Sequence, residues 1–306
     1  MPRWIHTLRQ AGITEPDLTA AYGQQRVLIR RFKVEEYVAV RLLLPTRLHP
    51  AVIAATAFMH ETDQRIDTGT SDARRKALEE WGTAALKAVD GEPATDATLS
   101  ALGDAAMRHP RLKRRVEAFL QGARHEVDYA GFGTEDELQV YVDGYSLPAF
   151  MLVACLLEQE NSAEAAAFES RCRDLIEAMQ RVDFLDDVAE DATQGHVGLP
   201  VEELERHGLS VEGLRAPTGA VRAGLEQLVR EQAELAHARL TASRPLVNLV
   251  PPHTRPFITA MVQVQELRLR AVRRKGGGLA DGGARPALPA LLGVLARQYR
   301  AARRTR

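Results

Sequence analysis

The sequence predicts an all-α protein, and two observations favour this fold class. The dominant residue types are strong helix formers, and aromatic residues make up only 5% of the 306 residues. Apolar residues recur at intervals of three and four in most segments, as in Val52, Ile53 and Ala57. No segment shows the alternation and tight turns of a β-hairpin. We therefore expect helices throughout the chain.

Helix-breaking and capping residues separate the periodic segments. Pro45 and Pro50 divide two helices, and Thr134 is an expected N-cap, with Glu137 completing a capping box. The predicted helices lie near 15–30, 32–44, 50–66, 72–90, 95–107, 111–127, 135–159, 162–191, 201–207, 217–241, 254–274 and 286–303.

The simplest organisation is a single helical domain over 1–306, because no internal repeat is visible. The Gly-rich segment 275–285 follows a helix and matches no phosphate-loop spacing, so it is predicted to be a flexible connector. A formal net charge of -1 predicts no nucleic-acid partner. The chain has two cysteines and no apolar run of the ~18 residues that a transmembrane segment needs. We expect a cytoplasmic protein of open oligomeric state.

The first candidate site is an acidic pair near the end of the 50–66 helix. Asp63 and Asp67 are four residues apart, so their carboxylates share one helix face. Like charges at this spacing destabilise a helix by ~0.2–0.5 kcal/mol. A divalent cation between them reverses that cost, and Mg²⁺ prefers one or two carboxylates together with phosphate oxygens and water.

The second candidate site is a ladder of three aspartates at four-residue intervals, Asp183, Asp187 and Asp191. Phe184, among other apolar residues, lies beside the ladder. Unpaired carboxylates next to an apolar surface are costly to bury, which indicates a cleft rather than a solvated face.

A single pair such as Asp63 and Asp67 occurs often in helical proteins without binding metal, and neither acidic stretch alone decides the chemistry. Their joint presence, some 120 residues apart, favours two helices that present both sets to one diphosphate across a bundle. About two or three Mg²⁺ ions bridging aspartates and diphosphate would make the diphosphate a better leaving group. The allylic cation that forms needs an apolar, water-poor cavity.

These stretches resemble the two motifs of the squalene/phytoene synthase family. Residues 58–67 resemble the first motif. The second motif usually reads Gln-x-x-Asn-x-x-x-Asp-x-x-Glu-Asp, and Asp183 stands in place of its asparagine. The residues that match it are Gln180, Asp187, Glu190 and Asp191.

Further resemblance lies in 32–45, the family's entry helix, and in Leu138 to Tyr141, its Leu-x-x-Tyr stretch. The resemblance covers roughly 25–300. It implies the isoprenoid synthase fold, a single helical bundle around a central active-site cavity, with Mg²⁺ as cofactor.

Roles for individual residues follow from the motifs and the resemblance together. The expected metal ligands are Asp63, Asp67, Asp183, Asp187 and Asp191. The expected diphosphate-binding residues are Lys33, Arg41 and Gln180. The expected catalytic residues are Tyr141 and Asp183. The expected cavity residues are Phe58, His60, Leu147, Phe150 and Phe184. A surface role for the cations, and a structural role for Tyr141 and His60, remain alternatives.

Two departures from the family pattern bear on the reaction. Residues 146–150 read Ser-Leu-Pro-Ala-Phe where the family has small residues, so Leu147 and Phe150 should reduce the room for a long prenyl chain. The flap at 194–200 keeps a glycine and a proline but lacks two arginines and a tyrosine of the family pattern. Two long-chain diphosphates need more cationic partners than this.

The leading hypothesis is therefore transfer of a short, dimethylallyl-like group from a prenyl diphosphate donor to a small-molecule acceptor. An electron-rich aromatic ring is the expected acceptor, by resemblance to squalene-synthase-like prenyltransferases that alkylate carbazoles in natural-product biosynthesis. Head-to-head condensation of two prenyl diphosphates and a non-catalytic helical scaffold are the alternatives. Asp143, Asp183 and Asp186 are candidate bases, and the sequence does not choose among them.

Overall fold

The computed structural model describes residues 3–158 and 163–305, and in these ranges it contains helices and no strand. The all-α prediction is therefore confirmed. The helices are α1 (Trp4–Gln10), α2 (Pro16–Phe32), α3 (Val34–Leu43), α4 (His49–Asp67), α5 (Ser71–Val89), α6 (Ala97–Arg108), α7 (Arg111–Glu126), α8 (Glu135–Tyr141), α9 (Leu147–Ala154), α10 (Ala165–Asp186), α11 (Val188–Gln194), α12 (Val201–Arg206), α13 (Val211–Arg215), α14 (Gly219–Ser243), α15 (Arg255–Lys275) and α16 (Leu288–Arg304).

The predicted caps and breaks have clear physical counterparts. Pro50 lies in the first turn of α4, where its missing N–H costs nothing. The Thr134 hydroxyl accepts the Glu137 N–H at 3.3 Å, as predicted for an N-cap. The reciprocal bond goes one residue earlier, because the Glu137 carboxylate accepts the N–H of Gly133 at 2.6 Å.

The helix expected near 135–159 is interrupted by a π turn at Val142–Ser146, between α8 and α9. Pro148 explains the widened turn, since a proline cannot donate the hydrogen bond that an α-helix would require there. Gly122 of α7 makes room for the bulge, because a Cβ at this position would lie 2.1 Å from the carbonyl oxygen of Gly144. Residues 159–162 lie outside the described part of the chain.

Three other expectations need correction. Helix α1 was not expected, because a seven-residue segment carries too little periodicity to stand out. The helix expected near 162–191 ends at Asp186 and resumes at Val188. The segment 275–285, expected as a flexible connector, contains a 3₁₀ helix at Gly276–Asp281.

The 3₁₀ helix packs against α14, and its hydrogen bonds explain why it is regular. Gly277 donates its N–H to the Glu226 carboxylate at 2.7 Å. Gly276 has φ +50, and a Cβ there would lie 1.8 Å from the same carboxylate. A glycine is thus required at this position for close packing.

The main hydrophobic core takes buried side chains from most of the helices. Val52, Ile53 and Ala57, whose spacing predicted the α4 helix, are each at most 1% exposed. Helix α9 packs against both α4 and α10, so it joins the two helices that carry the acidic stretches. Within the described residues, no helix combines the length and the apolar character of a bilayer crossing.

Candidate active site

The acidic stretches lie at the ends of α4 and α10. Asp63 and Asp67 occupy the last turns of α4, whereas Asp183 lies in the last turn of α10 and Asp187 at its junction with α11. The junction keeps helical hydrogen bonds, because the N–H of Asp187 donates to the carbonyl of Asp183 and that of Asp191 to Asp187, both at 2.9 Å. The four-residue rise of the ladder is therefore retained despite the break.

Lys33, in the linker between α2 and α3, connects the two acidic stretches. Burial raises the pKa of Asp63 and of Asp183, and the positive charge of Lys33 acts on both carboxyl groups in the opposite direction. One ammonium group therefore lies near both helix ends. The structure thus brings Lys33 near both acidic stretches, and its role in binding diphosphate stays a prediction.

A second connection runs through Glu126, at the end of α7. Its pKa is raised to about 7, mainly by burial and also by the charges of Asp67 and Asp63, against a hydrogen bond from Tyr141. Burial also raises the pKa of Tyr129, with contributions from Glu126 and Asp191. The two acidic stretches and Glu126 therefore surround the same space.

The aspartates are poorly neutralised by the protein itself. The pKa of Asp187 is raised to about 6, mainly by burial and next by the negative charges of Asp183 and Asp191. Burial likewise raises the pKa of Asp63 to about 6, against a hydrogen bond that Tyr145 donates to it at 3.0 Å. Such a donor set suits divalent cations, which remove the repulsion between carboxylates.

Asp183 differs from the other motif aspartates because it has a cationic partner. Arg268 of α15 forms an ion pair with Asp183 at 2.5 Å and approaches Asp186 at 3.6 Å. Asp186 also accepts the N–H of Ala284. The sequence did not reveal Arg268, because it lies 85 residues beyond Asp183 in an ordinary basic helix.

The wall beside the carboxylates is aromatic. Ring centroids of neighbouring side chains are 5.0 to 6.4 Å apart in a cluster that we call the aromatic belt, formed by Tyr129, Phe132, Tyr141, Tyr145 and Phe184. Leu147 and Phe150 pack with members of the belt in a small separate hydrophobic cluster. Four of the predicted site residues, Tyr141, Leu147, Phe150 and Phe184, are therefore brought together on one wall.

The flap after α11 closes against this wall. Gly198 lies on Phe184 so tightly that a Cβ would be 2.0 Å from its ring. The N–H of Gly198 donates a hydrogen bond to Asp191. Arg215 of α13 donates to the carbonyl of Ala192 at 2.6 Å, so an arginine from another helix holds the end of the motif.

Other predicted residues lie elsewhere or in different surroundings. Phe58 has no exposed surface and packs on Trp81 and Phe119, so its assignment as a cavity residue is corrected: it supports the wall from behind. His60 is partly buried and stacks on Phe32 with centroids 5.0 Å apart. Gln180 is partly buried in α10, near the ladder.

Two charged candidates point away from the acidic space. Arg41 is buried, donates to Thr7 at 2.9 Å and lies over the ring of Trp4. Asp143, a candidate base, is exposed and paired with Arg173 at 2.7 Å on the outside of the bundle.

Glu126 and Tyr145, like Arg268, are candidate site residues that sequence reasoning missed. Glu126 ends a helix, where the negative end of the helix dipole disfavours a carboxylate, and this unfavourable placement was the available signal. Tyr145 carried no such signal, since its contact with Asp63 depends on the π turn.

The described residues contain one compact group of three metal-ligating side chains, and it lies outside this site. Glu203, His207 and Glu231 have ligand atoms within 4.8 Å of one another. Arg206 already pairs with Glu203 and approaches Glu231 at 3.6 Å. The motif aspartates are spread more widely, as expected where ions take several ligands from phosphate oxygens and water.

Comparison with known proteins identifies the family of the chain. Residues 30–291 match the family model of squalene/phytoene synthase. The chain is 30% identical over 229 residues to the bifunctional protein CrtB/UppS of Streptomyces coelicolor, a match that covers 74% of this chain and 39% of that protein. The chain spans less than half the length of the curated relatives that it matches first.

Solved structures show the same fold. A dehydrosqualene synthase superposes with a TM-score of 0.78 at 20% identity, covering 97% of this chain and 99% of that chain. Squalene synthase HpnC from Alicyclobacillus acidocaldarius superposes with a TM-score of 0.73 at 24% identity, covering 87% and 98%. The family match extends over most of the helical bundle, so this chain belongs to the squalene/phytoene synthase family.

Proposed function

We propose that the protein is a Mg²⁺-dependent prenyltransferase that ionises a short allylic diphosphate and passes the prenyl group to an aromatic acceptor. Members of the family are prenyltransferases, and the family generally uses a divalent metal with diphosphate substrates. The observation that carries the proposal is the arrangement of Asp63, Asp187 and Asp191 around one space with so little neutralising charge.

The carboxylates of α4 and of the α10–α11 junction would hold the metal. When bound, the metal would neutralise the diphosphate and so favour its departure as pyrophosphate. Lys33, whose charge acts on both acidic stretches, is suited to bind a diphosphate oxygen directly.

The aromatic belt would face the carbocation left behind. Tyrosine and phenylalanine ring faces attract a cation within about 6 Å, and the stacked rings exclude water that would otherwise capture it. Tyr141 has four neighbouring aromatic rings and a hydroxyl that hydrogen-bonds to Glu126. This arrangement fixes the orientation of its ring.

The belt also favours a flat, electron-rich acceptor, which can stack on it. In the transfer step a ring carbon would bond to the prenyl carbon, pyrophosphate would leave, and a ring proton would pass to a base. Asp183 and Asp186 share Arg268, and Asp143 faces outwards. Glu126, with one carboxylate oxygen unpartnered, is therefore the base that we favour.

Head-to-head condensation is the second candidate, and the relatives favour it, since several of them are phytoene synthases. Against it stand Leu147 and Phe150, which occupy space beside the belt. A long prenyl chain would need that space.

Product analysis tests the proposal. Purified protein is incubated with Mg²⁺ and dimethylallyl diphosphate plus a carbazole-type aromatic, or with farnesyl diphosphate alone, and pyrophosphate and product mass are measured. We expect pyrophosphate release and a prenylated aromatic in the first mixture. Efficient formation of presqualene diphosphate or squalene in the second would establish the head-to-head reaction instead. Absence of pyrophosphate release in both would indicate a scaffold.

A further inference from the structure

A second concave site lies between α1, α2 and α3, and none of the motif aspartates lines it. We call it the arginine pocket; its volume is about 1140 Å³. Its lining residues include no Asp or Glu in the described part of the chain. Its basic residues are Arg3, His6, Arg9, Arg26, Arg30 and Arg41.

The floor of the arginine pocket places two like charges on one indole ring. The guanidinium carbons of Arg26 and Arg41 lie 5.9 and 5.4 Å from the centroid of the Trp4 ring. Burial lowers the pKa of Arg41, and the positive charge of Arg26 lowers it further. The two cations therefore repel each other, and an anion between them would relieve the repulsion.

Most partly buried arginines elsewhere in the protein have carboxylate partners, such as Arg115 with Glu169 and Arg181 with Glu177. In the described residues, by contrast, the partly buried Arg26 of the pocket forms no ion pair with a carboxylate, and neither do the exposed pocket residues Arg3, Arg9 and Arg30. The Nε of Arg26 and the indole N–H of Trp4 are buried donors without a hydrogen-bond partner. Unsatisfied donors of this kind are costly unless a ligand completes them.

We propose that the arginine pocket binds a small organic diphosphate at a site distinct from the aspartates. Guanidinium groups match phosphate oxygens in pairs, and five of them around one cavity suit a multiply charged anion. The volume exceeds what an inorganic ion needs, and Tyr37 and Val38 offer an apolar surface to an organic group. No metal is required here, because the protein itself supplies the positive charge.

A lipid headgroup offers the same phosphate chemistry as a free diphosphate. Ile5 and Val34, at the rim, are 48% and 54% exposed, so an approach by a membrane surface is sterically open. The floor, where Tyr37 and Arg41 are buried, in contrast suits a ligand that enters fully. The experiment therefore compares the two sources directly.

Trp4 is a built-in reporter, because the chain has only one other tryptophan, Trp81. Inorganic pyrophosphate is titrated into the full chain in EDTA, which leaves the aspartates without metal and hence repulsive to anions. We expect a saturable change in tryptophan fluorescence that Trp4→Phe abolishes. Arg26→Gln should weaken the apparent affinity for pyrophosphate about tenfold, because one charge-assisted hydrogen bond is lost.

Arg114→Gln, at an exposed position on α7 outside the pocket, is the matched control and should leave the affinity unchanged. Arg30→Gln is the second pocket variant, since Arg30 is exposed and its replacement does not endanger folding. Absence of saturation, or equal affinities in the pocket variants and the control, would overturn the proposal. Sedimentation with phosphatidylglycerol vesicles forms the other arm: Arg26-dependent vesicle binding without pyrophosphate binding would assign the pocket to lipid and also overturn it.

Discussion

The aspartate site and the arginine pocket are opposites in charge but alike in construction. In the first, carboxylates from α4, α10 and α11 surround a space in which burial and mutual repulsion raise their pKa values. In the second, guanidinium groups from α1, α2 and α3 gather around Trp4 without carboxylates. Both arrangements lower the stability of the ligand-free protein because like charges repel each other. A ligand of opposite charge would offset this repulsion at each site.

The difference between them lies in how the missing charge is supplied. The aspartate site attracts diphosphate only after cations have bound, so it combines anion binding with leaving-group chemistry. The arginine pocket attracts an anion directly and has no group placed to help a bond break. We therefore infer that it binds diphosphate without activating it.

The sharpest test of this comparison is Asp63→Asn. The neutral amide should reduce pyrophosphate release at least about a hundredfold, because it no longer offers a charged ligand. The metal-free protein should nevertheless become more stable by about 1–3 kcal/mol, since a partly buried, repelled carboxylate has been removed. Steady-state turnover and thermal melts in EDTA measure the two effects.

Asp143→Asn is the control for that substitution. Asp143 is an aspartate of the same bundle, but it is exposed and paired with Arg173. Turnover should stay within about twofold of the unchanged protein, the range expected for a surface ion pair. If both variants lost activity equally, the aspartate site would have no special role.

The pair of Arg268 and Asp183 gives the next largest effect. Arg268→Gln leaves Asp183 as one more uncompensated carboxylate, so we expect about a tenfold lower kcat/KM. Combining it with Asp183→Asn should restore most of the loss, because the amide needs no counter-charge. A double-mutant cycle on kcat/KM measures this coupling. Additive losses would mean that the ion pair does not matter to the site.

The sequence predicted α4 well because the signal for this helix is local. Spacing of three and four residues, prolines and caps are properties of neighbouring residues, and α4 follows them closely. The helices predicted over 135–159 and 162–191 are interrupted near Pro148 and at Asp187. There the packing of α7, α9 and α11 decides the backbone conformation. Arg268 and Glu126 were missed for the same reason, since only the tertiary fold brings them to the aspartates.

The basic residues before the first motif show what the sequence alone does not determine. The sequence places several cations before the first motif, and one of them, Lys33, lies near both acidic stretches. Composition cannot tell, however, which face of α2 or α3 each residue occupies. Arg41, one turn beyond Tyr37, belongs to the pocket under Trp4 because α1 folds over that face.

Metal-dependent stability should differ between acid and neutral pH. The folded-state pKa values of Asp63 and Asp187, about 6, exceed the ordinary value of 3.8. Protonation of these two carboxyl groups therefore stabilises the folded protein. This stabilisation is complete below about pH 4 and is lost as the pH rises through about 6. Mg²⁺ competes with protons for these carboxylates, so millimolar Mg²⁺ should raise the Tm by about 2–5 °C at pH 7.5 and by much less at pH 5.

Thermal melts of the full chain with and without Mg²⁺ at the two pH values provide the measurement. The Asp63→Asn protein should lose part of the Mg²⁺ effect at pH 7.5, whereas Asp143→Asn should keep all of it. An equal effect of Mg²⁺ on the Tm at both pH values would mean that the metal does not bind to these two carboxyl groups.

The smallest effect is expected from Tyr145→Phe, which removes the hydroxyl that donates to Asp63. Loss of one hydrogen bond to a carboxylate is worth about 1.5–3 kcal/mol when buried and less here, because Asp63 keeps some contact with solvent. The bond lowers the pKa of Asp63, so its removal should raise that pKa. Protons then compete better with Mg²⁺, and half-maximal activity should require several-fold more Mg²⁺ at pH 6.5 but not at pH 8.

Tyr129→Phe is the matched control, since the Tyr129 hydroxyl is buried without a hydrogen-bond partner in the same aromatic belt. Removing an unpartnered polar atom should leave the Mg²⁺ requirement unchanged and slightly stabilise the protein. A shift of the Mg²⁺ requirement in both variants would mean that belt packing, rather than the Tyr145 hydrogen bond, sets the acidity of Asp63. A shift in Tyr145→Phe alone would link the π turn, which places this hydroxyl, to metal binding.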